Sequence, residues 1–191
     1  MKQTLKQEIL DKRKKLDQKS IEDKNKKIKN RIYSIPEFKK SKNILFYVSL
    51  KNEVNTYELI KELLNEKEKT VLVPYVLRNN PIMQVSELHN FEELEPKSFD
   101  ILEPKDNSIR EFNPGKIDLV IVPGVVFDLT GHRIGYGYAY YDRFLKTLKQ
   151  KPIKIGLAYD FQIVDKIPEE QHDIPMDIIL TEERAIECNQ K

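Results

Sequence analysis

Apolar positions along this chain recur with two periods, and the switches between them mark its elements. Near the amino end, Leu5, Ile9 and Leu16 fall on one helical face, and Ile21, Ile28 and Ile32 carry a second helix that Pro36 stops. Thr4 and Gln7 read as a capping box for the first helix, and Ser20 to Asp23 as the start signal of the second. Ile44 to Val48 is a short unbroken apolar run rich in strand formers, which predicts a buried strand. Thr56 is placed to cap a helix carrying Leu59, Ile60, Leu63 and Leu64, and Val71–Leu72–Val73 is the next strand, ended by Pro74. Strand, helix and strand joined by short connections form a βαβ unit and predict a parallel sheet.

The middle of the chain is less regular. Ile82 to Val85 reads as a strand, but Glu92 to Lys116 holds Pro96, Pro104 and Pro114 and little periodicity. It predicts a long excursion over the sheet, a candidate cover for a substrate. Order returns at Ile117 to Val122, apolar apart from Asp118 and therefore a central strand. Tyr141, Phe144, Leu145 and Leu148 share a helical face that ends before Pro152; Ile153 to Ala158 and Asp177 to Leu180 are the last strands. The expected fold is α/β: an open, mostly parallel sheet flanked by helices on both faces, a Rossmann-like three-layer arrangement in a single domain over residues 1–191.

Composition narrows the partners. The chain is 39% hydrophobic and 34% charged, so it is globular with a heavily charged exterior. Its 33 basic and 31 acidic residues leave a net charge of +2, which gives no argument for nucleic acid or a membrane surface. The lysine excess between Lys12 and Lys29 reads as a solvated helix face. The single cysteine, Cys188, excludes a disulfide within the chain and points to a reducing compartment. No apolar run approaches the ~20 residues of a membrane span, and the first residues lack the apolar core of a secretory signal. A cytoplasmic monomer is expected.

In open α/β sheets, ligands bind at the carboxyl ends of the strands. The polar residues there are Ser49, Glu53 and Asn55, then Asp128 and Arg133, then Tyr159 and Asp160; Asp177 opens the last strand. The densest stretch runs from Ile121 to Leu148. Small residues at Gly135, Gly137 and Ala139 lead into a helix, and backbone N–H groups with a helix dipole behind them attract anions. The spacing matches neither a P-loop, which needs Gly–Lys–Ser/Thr, nor a dinucleotide fingerprint. A turn tightening a strand–helix junction accounts for the glycines equally well. Arg133 before the loop and Asp142 after it shift the reading toward a nucleotide, because an arginine fork suits phosphate and an aspartate suits its Mg²⁺. The three histidines, His89, His132 and His172, have no metal-ligand spacing.

Pro123, Gly124, Phe127, Asp128, Gly131, Arg133, Ile134, Gly135 and Gly137, followed by Tyr140–Tyr141–Asp142–Arg143–Phe144–Leu145, closely resemble the signature of the 5-formyltetrahydrofolate cyclo-ligases. Lys2, Leu5 and Lys6 at the start, and His172 to Asp177 near the end, extend the resemblance over essentially the whole chain. It implies a reaction in which ATP and Mg²⁺ activate the formyl oxygen of 5-formyltetrahydrofolate by phosphorylation. N10 then attacks, phosphate leaves, and 5,10-methenyltetrahydrofolate and ADP result. It also implies roles. Lys2, Lys6, Arg133 and the loop Ile134, Gly135, Tyr136, Gly137, Tyr138, Ala139, Tyr140 and Tyr141 would hold ATP. Val48 and Glu53 would line the folate site, together with Tyr136 to Tyr140, and Asp142 and Asp177 would hold Mg²⁺. Two positions depart from the pattern: Lys6 stands where relatives often carry arginine, and Ala139 follows Tyr138 where the loop would end in glycine. Alanine there suits a backbone without positive φ.

Two other readings fit the residues taken alone. One is a sugar-phosphate isomerase or CoA-transferase-like enzyme, which would bind phosphate without hydrolysing ATP. The other is a non-catalytic module that binds folate or nucleotide without turnover.

Overall fold

The molecule is built on a seven-stranded sheet that runs, from edge to edge, in the order β12-β11-β9-β6-β1-β2-β3. These strands are β1 (Asn43–Leu45), β2 (Thr70–Leu77), β3 (Asn80–Glu87), β6 (Leu119–Val122), β9 (Ile153–Leu157), β11 (Ile178–Leu180) and β12 (Ala185–Glu187). The structure, a computed structural model, describes residues 2–77, 80–97, 100–168 and 173–188, with the backbone alone at 80–81. The five central strands are mutually parallel, and β3 and β12 close the two edges antiparallel to β2 and β11. The predicted open, mostly parallel sheet is therefore present.

Its central strands are mostly apolar because both faces are covered. On one face, Ile44, Phe46, Val71, Val73, Leu119, Ile121, Ile155 and Leu157 pack against Ile28 and Ile32 of α2 (Gln18–Ser34) and Leu59, Ile60 and Leu63 of α4 (Tyr57–Glu66). The alternate residues Leu45, Leu72, Val120, Val122 and Ile179 point the other way, onto Phe144 and Leu145 of α5 (Tyr140–Thr147). Each such side chain contributes roughly 1.5–3 kcal/mol on burial. A small second sheet of β10 (Ile163–Val164), β7 (Val126–Asp128) and β8 (Arg133–Ile134) adds Phe127 and Ile163 to the same cluster as Phe144 and Leu145. The Phe127 ring fills the space over Gly124 and Gly156, where an added Cβ would come within 2.5 and 2.6 Å of it.

Several boundaries differ from expectation, each for a local reason. The first helix, α1 (Lys2–Lys14), begins two residues before Thr4, so Thr4 lies inside it rather than capping it. The second is capped by Asp17, whose Oδ1 accepts from Ser20 N at 2.9 Å. Pro36 ends that helix and also opens a short one, α3 (Pro36–Lys40), at a first-turn position where its missing N–H removes no bond. Thr56 does precede α4, but its hydroxyl donates to Tyr47 O at 2.8 Å instead of capping. Pro74 does not end β2. Leu72 O faces β1, where Phe46 N donates to it; Pro74 faces the same side, beyond the last residue of β1, so no ladder bond is lost. The excursion after β3 holds a two-stranded hairpin of β4 (Leu94–Pro96) and β5 (Leu102–Pro104).

Candidate active site

Three segments meet where α1 packs on the small sheet through Ile9, Val125, Val126 and Ile167. They are α1 itself, the loop after β1 that carries Glu53, and the loop Gly135 to Ala139 leading into α5. Asp128 braces the β7–β8 hairpin that holds this geometry. It is fully buried, its Oδ1 accepts from Thr130 N and His132 N at 2.9 and 3.0 Å, and its Oδ2 accepts from Ile167 N at 2.8 Å.

The first cluster is built around Glu53. This carboxylate is 8% exposed, its Oε2 accepts from Leu50 N at 2.9 Å, and the Tyr136 side chain lies beside it. Burial pushes its acid constant above the ordinary carboxylate value, while the Leu50 amide and the Arg13 charge pull the other way. Arg13, 2% exposed, reaches in from α1: its Nε donates to the carbonyl of Asn52 and its Nη1 lies 3.4 Å from the Tyr136 hydroxyl. Burial, reinforced by Glu53, raises the Tyr136 phenol to about 12. Tyr141, from α5, senses both the Glu53 and the Arg133 charge. Two buried polar atoms in this cluster, Arg13 Nη2 and the Tyr141 hydroxyl, have no partner among the described residues.

The second cluster is built around Arg133 and Asp142. The Arg133 side chain is 6% exposed; Nη2 donates to Asp142 Oδ2 at 3.0 Å and Nη1 to Ile174 O at 3.0 Å. Asp142 Oδ1 in turn accepts from Ile174 N at 3.2 Å. Burial works against the Arg133 charge, and Asp142 supports it. Beside this knot Lys2 approaches Asp173 at 3.8 Å, and Lys6 Nζ donates to Tyr136 O at 2.9 Å. The amino-terminal helix thus lies against the small-residue loop.

The loop's backbone explains its composition in part. Gly137 has φ +113°, a conformation that favours glycine. Gly135 is not so constrained, and a Cβ there would meet nothing within 4 Å. Ala139 has φ 49°, in the left-handed region, at the N-cap of α5 and with no side-chain cap bond. The expectation that this backbone avoids positive φ is therefore overturned; an L-residue there costs roughly 1–2 kcal/mol.

The structure brings Glu53 and Tyr136 together, and Lys6 with the same loop. Val48 lies in the core beneath, 4% exposed. Tyr138 and Tyr140 stack with ring centroids 5.8 Å apart. Asp142 and Asp177 have different cations. Asp177 Oδ2 accepts from Lys154 Nζ at 2.6 Å and from Lys154 N at 2.7 Å, at the amino end of β9. Among the described residues no group of three or more His, Cys, Asp or Glu is arranged to hold a metal. His172 lies outside the described residues. The residue missed in the sequence is Arg13. It continues the Leu5–Ile9 stripe at a spacing of four, so a charged side chain on the buried face of α1 was the signal.

Residues 1–182 match the 5-formyltetrahydrofolate cyclo-ligase family. The chain is 33% identical to a 5-formyltetrahydrofolate cyclo-ligase of Mus musculus over 156 residues, 77% of this chain and 76% of that one. A solved structure of a 5,10-methenyltetrahydrofolate synthetase from Aquifex aeolicus superposes with a TM-score of 0.86 at 36% identity, covering 100% of this chain and 94% of the other. That of a Mycoplasma pneumoniae 5,10-methenyltetrahydrofolate synthetase gives 0.76 at 26% identity, over 95% and 98%. Among the described residues no helix is long and apolar enough to cross a membrane. With a match over nearly its full length and these likenesses in sequence and fold, the chain belongs to the 5-formyltetrahydrofolate cyclo-ligase family.

Proposed function

We propose that the protein converts 5-formyltetrahydrofolate to 5,10-methenyltetrahydrofolate with ATP, forming ADP and phosphate. The observation that carries this reading is the buried Glu53 carboxylate, held beside the small-residue loop by Arg13 and Tyr136. A carboxylate kept out of water is suited to accept N–H groups of a ring substrate, and the adjoining loop with Lys2 and Lys6 is suited to polyphosphate.

The reaction divides between the two clusters. Glu53 and Tyr136 to Tyr140, over Val48, orient the folate. Lys2, Lys6, Arg133 and residues 134–141 hold ATP so that its γ-phosphoryl group faces the formyl oxygen. That oxygen takes the phosphoryl group and ADP departs. N10 attacks the activated carbon and releases its proton to solvent, the C–O bond breaks and phosphate leaves with the electron pair. Positioning and charge neutralisation carry such a transfer, and no side-chain nucleophile is required.

Magnesium supplies charge neutralisation on the phosphates when bound. The Asp142 carboxylate fits that role. Its side chain is 19% exposed beside the loop, and Mg²⁺ commonly uses one or two carboxylates with phosphate oxygens. Asp177 is the second carboxylate we assign, and joining the metal would require it to release Lys154. We also read the protein as a single-domain monomer of the cytoplasm; a light-scattering mass of two chains would refute the monomer.

The test is the absorbance of the methenyl product. A rise that requires protein, 5-formyltetrahydrofolate, ATP and Mg²⁺ together is expected. Binding of both ligands without any rise would replace the enzyme with a binding module.

A further inference from the structure

The Glu53 cluster contains one charge more than folate positioning by Glu53 alone requires. Arg13 is anchored to the backbone of Asn52, the residue before Glu53, and its charge acts on the Glu53 carboxylate. Its Nη2 is buried with no partner among the described residues, and so is the Tyr141 hydroxyl, which senses the same carboxylate from α5. A buried donor left unmet is costly, and Arg13 Nη2, anchored beside the residue before Glu53, points to a ligand that completes it. Over them sits Tyr136, 40% exposed between Gly135 and Gly137, with its hydroxyl 3.4 Å from Arg13 Nη1. Its movement would uncover both Arg13 and Glu53.

The carboxylate offers acceptors and the neighbouring guanidinium nitrogen offers a donor. The complementary edge is donor, donor, acceptor. A 2-amino-4-oxopterin ring presents that edge through its amino group, its ring N3–H and its 4-oxo oxygen. The geometry points to Arg13 as a specificity-determining residue of the folate site: Nη2 donates to the 4-oxo oxygen while Glu53 accepts the two N–H groups. Such a site rejects a 4-amino ring, whose N–H would face the guanidinium donor and leave it unmet. This inference rests on the folate reading of Glu53 proposed for the reaction.

The experiment is nucleotide-free calorimetric titration of the intact protein with 5-formyltetrahydrofolate and with its 4-amino-4-deoxy counterpart. The wild type is expected to prefer the oxo ligand at least tenfold. In Arg13→Met the ratio should fall at least fivefold, with ATP binding unchanged. Arg13→Lys keeps the charge but lacks the planar fork that spaces Nε on Asn52 O from Nη2 on the oxo oxygen, so its ratio should also shrink, by at least twofold. A wild type without preference overturns the inference, and so does either folded variant whose ratio stays at the wild-type value. Preference lost from the variants while ATP binding holds supports it. A wild type that binds neither folate refutes the folate reading itself, whereas turnover with unchanged discrimination in the variants refutes only the role of Arg13.

Discussion

Two buried arginines stand on either side of the small-residue loop, and they are treated differently. Arg133 donates to a carboxylate and to a backbone carbonyl, and its partner Asp142 also takes an amide. Arg13 is as deeply buried, yet one of its nitrogens and the Tyr141 hydroxyl have no partner among the described residues. A closed set of bonds fixes β8, α5 and the segment at Ile174 in one arrangement. An open set beside a buried acid sacrifices stability for a site a ligand can complete. The contrast teaches that burial of charge alone does not say where a ligand's own donors and acceptors are needed; incomplete satisfaction does.

The sharpest way to break the comparison is to remove Arg133. Arg133→Ala leaves Asp142 without its cation, and the loss should be about 3 kcal/mol or more in urea unfolding, because one partner of a buried pair is stranded. Turnover should fall at least tenfold as well, and in Asp142→Asn likewise. Wild-type turnover in both variants would remove Arg133 and Asp142 from the site.

Glu53 should respond in the opposite sense. Its folded acid constant is raised, chiefly by burial. A raised constant means its contribution is complete below the unfolded value and is lost as pH rises through the folded one. The ionised form of Glu53, which grows as pH rises through that folded value, therefore opposes folding. Glu53→Gln should raise the neutral-pH unfolding midpoint while reducing activity, and the stability gain should vanish at acid pH. A variant less stable than wild type at pH 7 would show that Glu53 belongs to the frame.

The smallest effect expected is at the loop's end. Ala139→Gly removes the left-handed strain and should stabilise the protein by roughly 1 kcal/mol, less the added freedom of the unfolded chain. Unfolding at the wild-type denaturant concentration would mean the strain is already relieved.

The sheet was legible because both faces are buried, so its strands read as unbroken apolar runs such as Ile44 to Val48 and Ile117 to Val122. The motif from Pro123 to Leu145 was legible through its resemblance to the cyclo-ligase signature, since its glycine spacing alone suited a plain turn equally well. What stayed hidden depends on distant partners. Pro74 could continue β2 only because β1 stops short of it, and Thr56 spends its hydroxyl on Tyr47 instead of on its helix. Arg13 sat in a lysine-rich helix that read as solvated. Its role appears only once the loop at Asn52 and Tyr136 is folded over it. The left-handed φ of Ala139 is set by the junction with α5, where local sequence would place glycine.

The claim at the centre is that the incompletely satisfied cluster, and not the closed one, receives the folate. Calorimetric titration of 5-formyltetrahydrofolate without nucleotide tests it directly, in the wild type and in Glu53→Gln. One saturable site is predicted in the wild type, with affinity at least tenfold weaker in Glu53→Gln and ATP binding intact in both. Equal folate affinity in the two proteins would contradict the account.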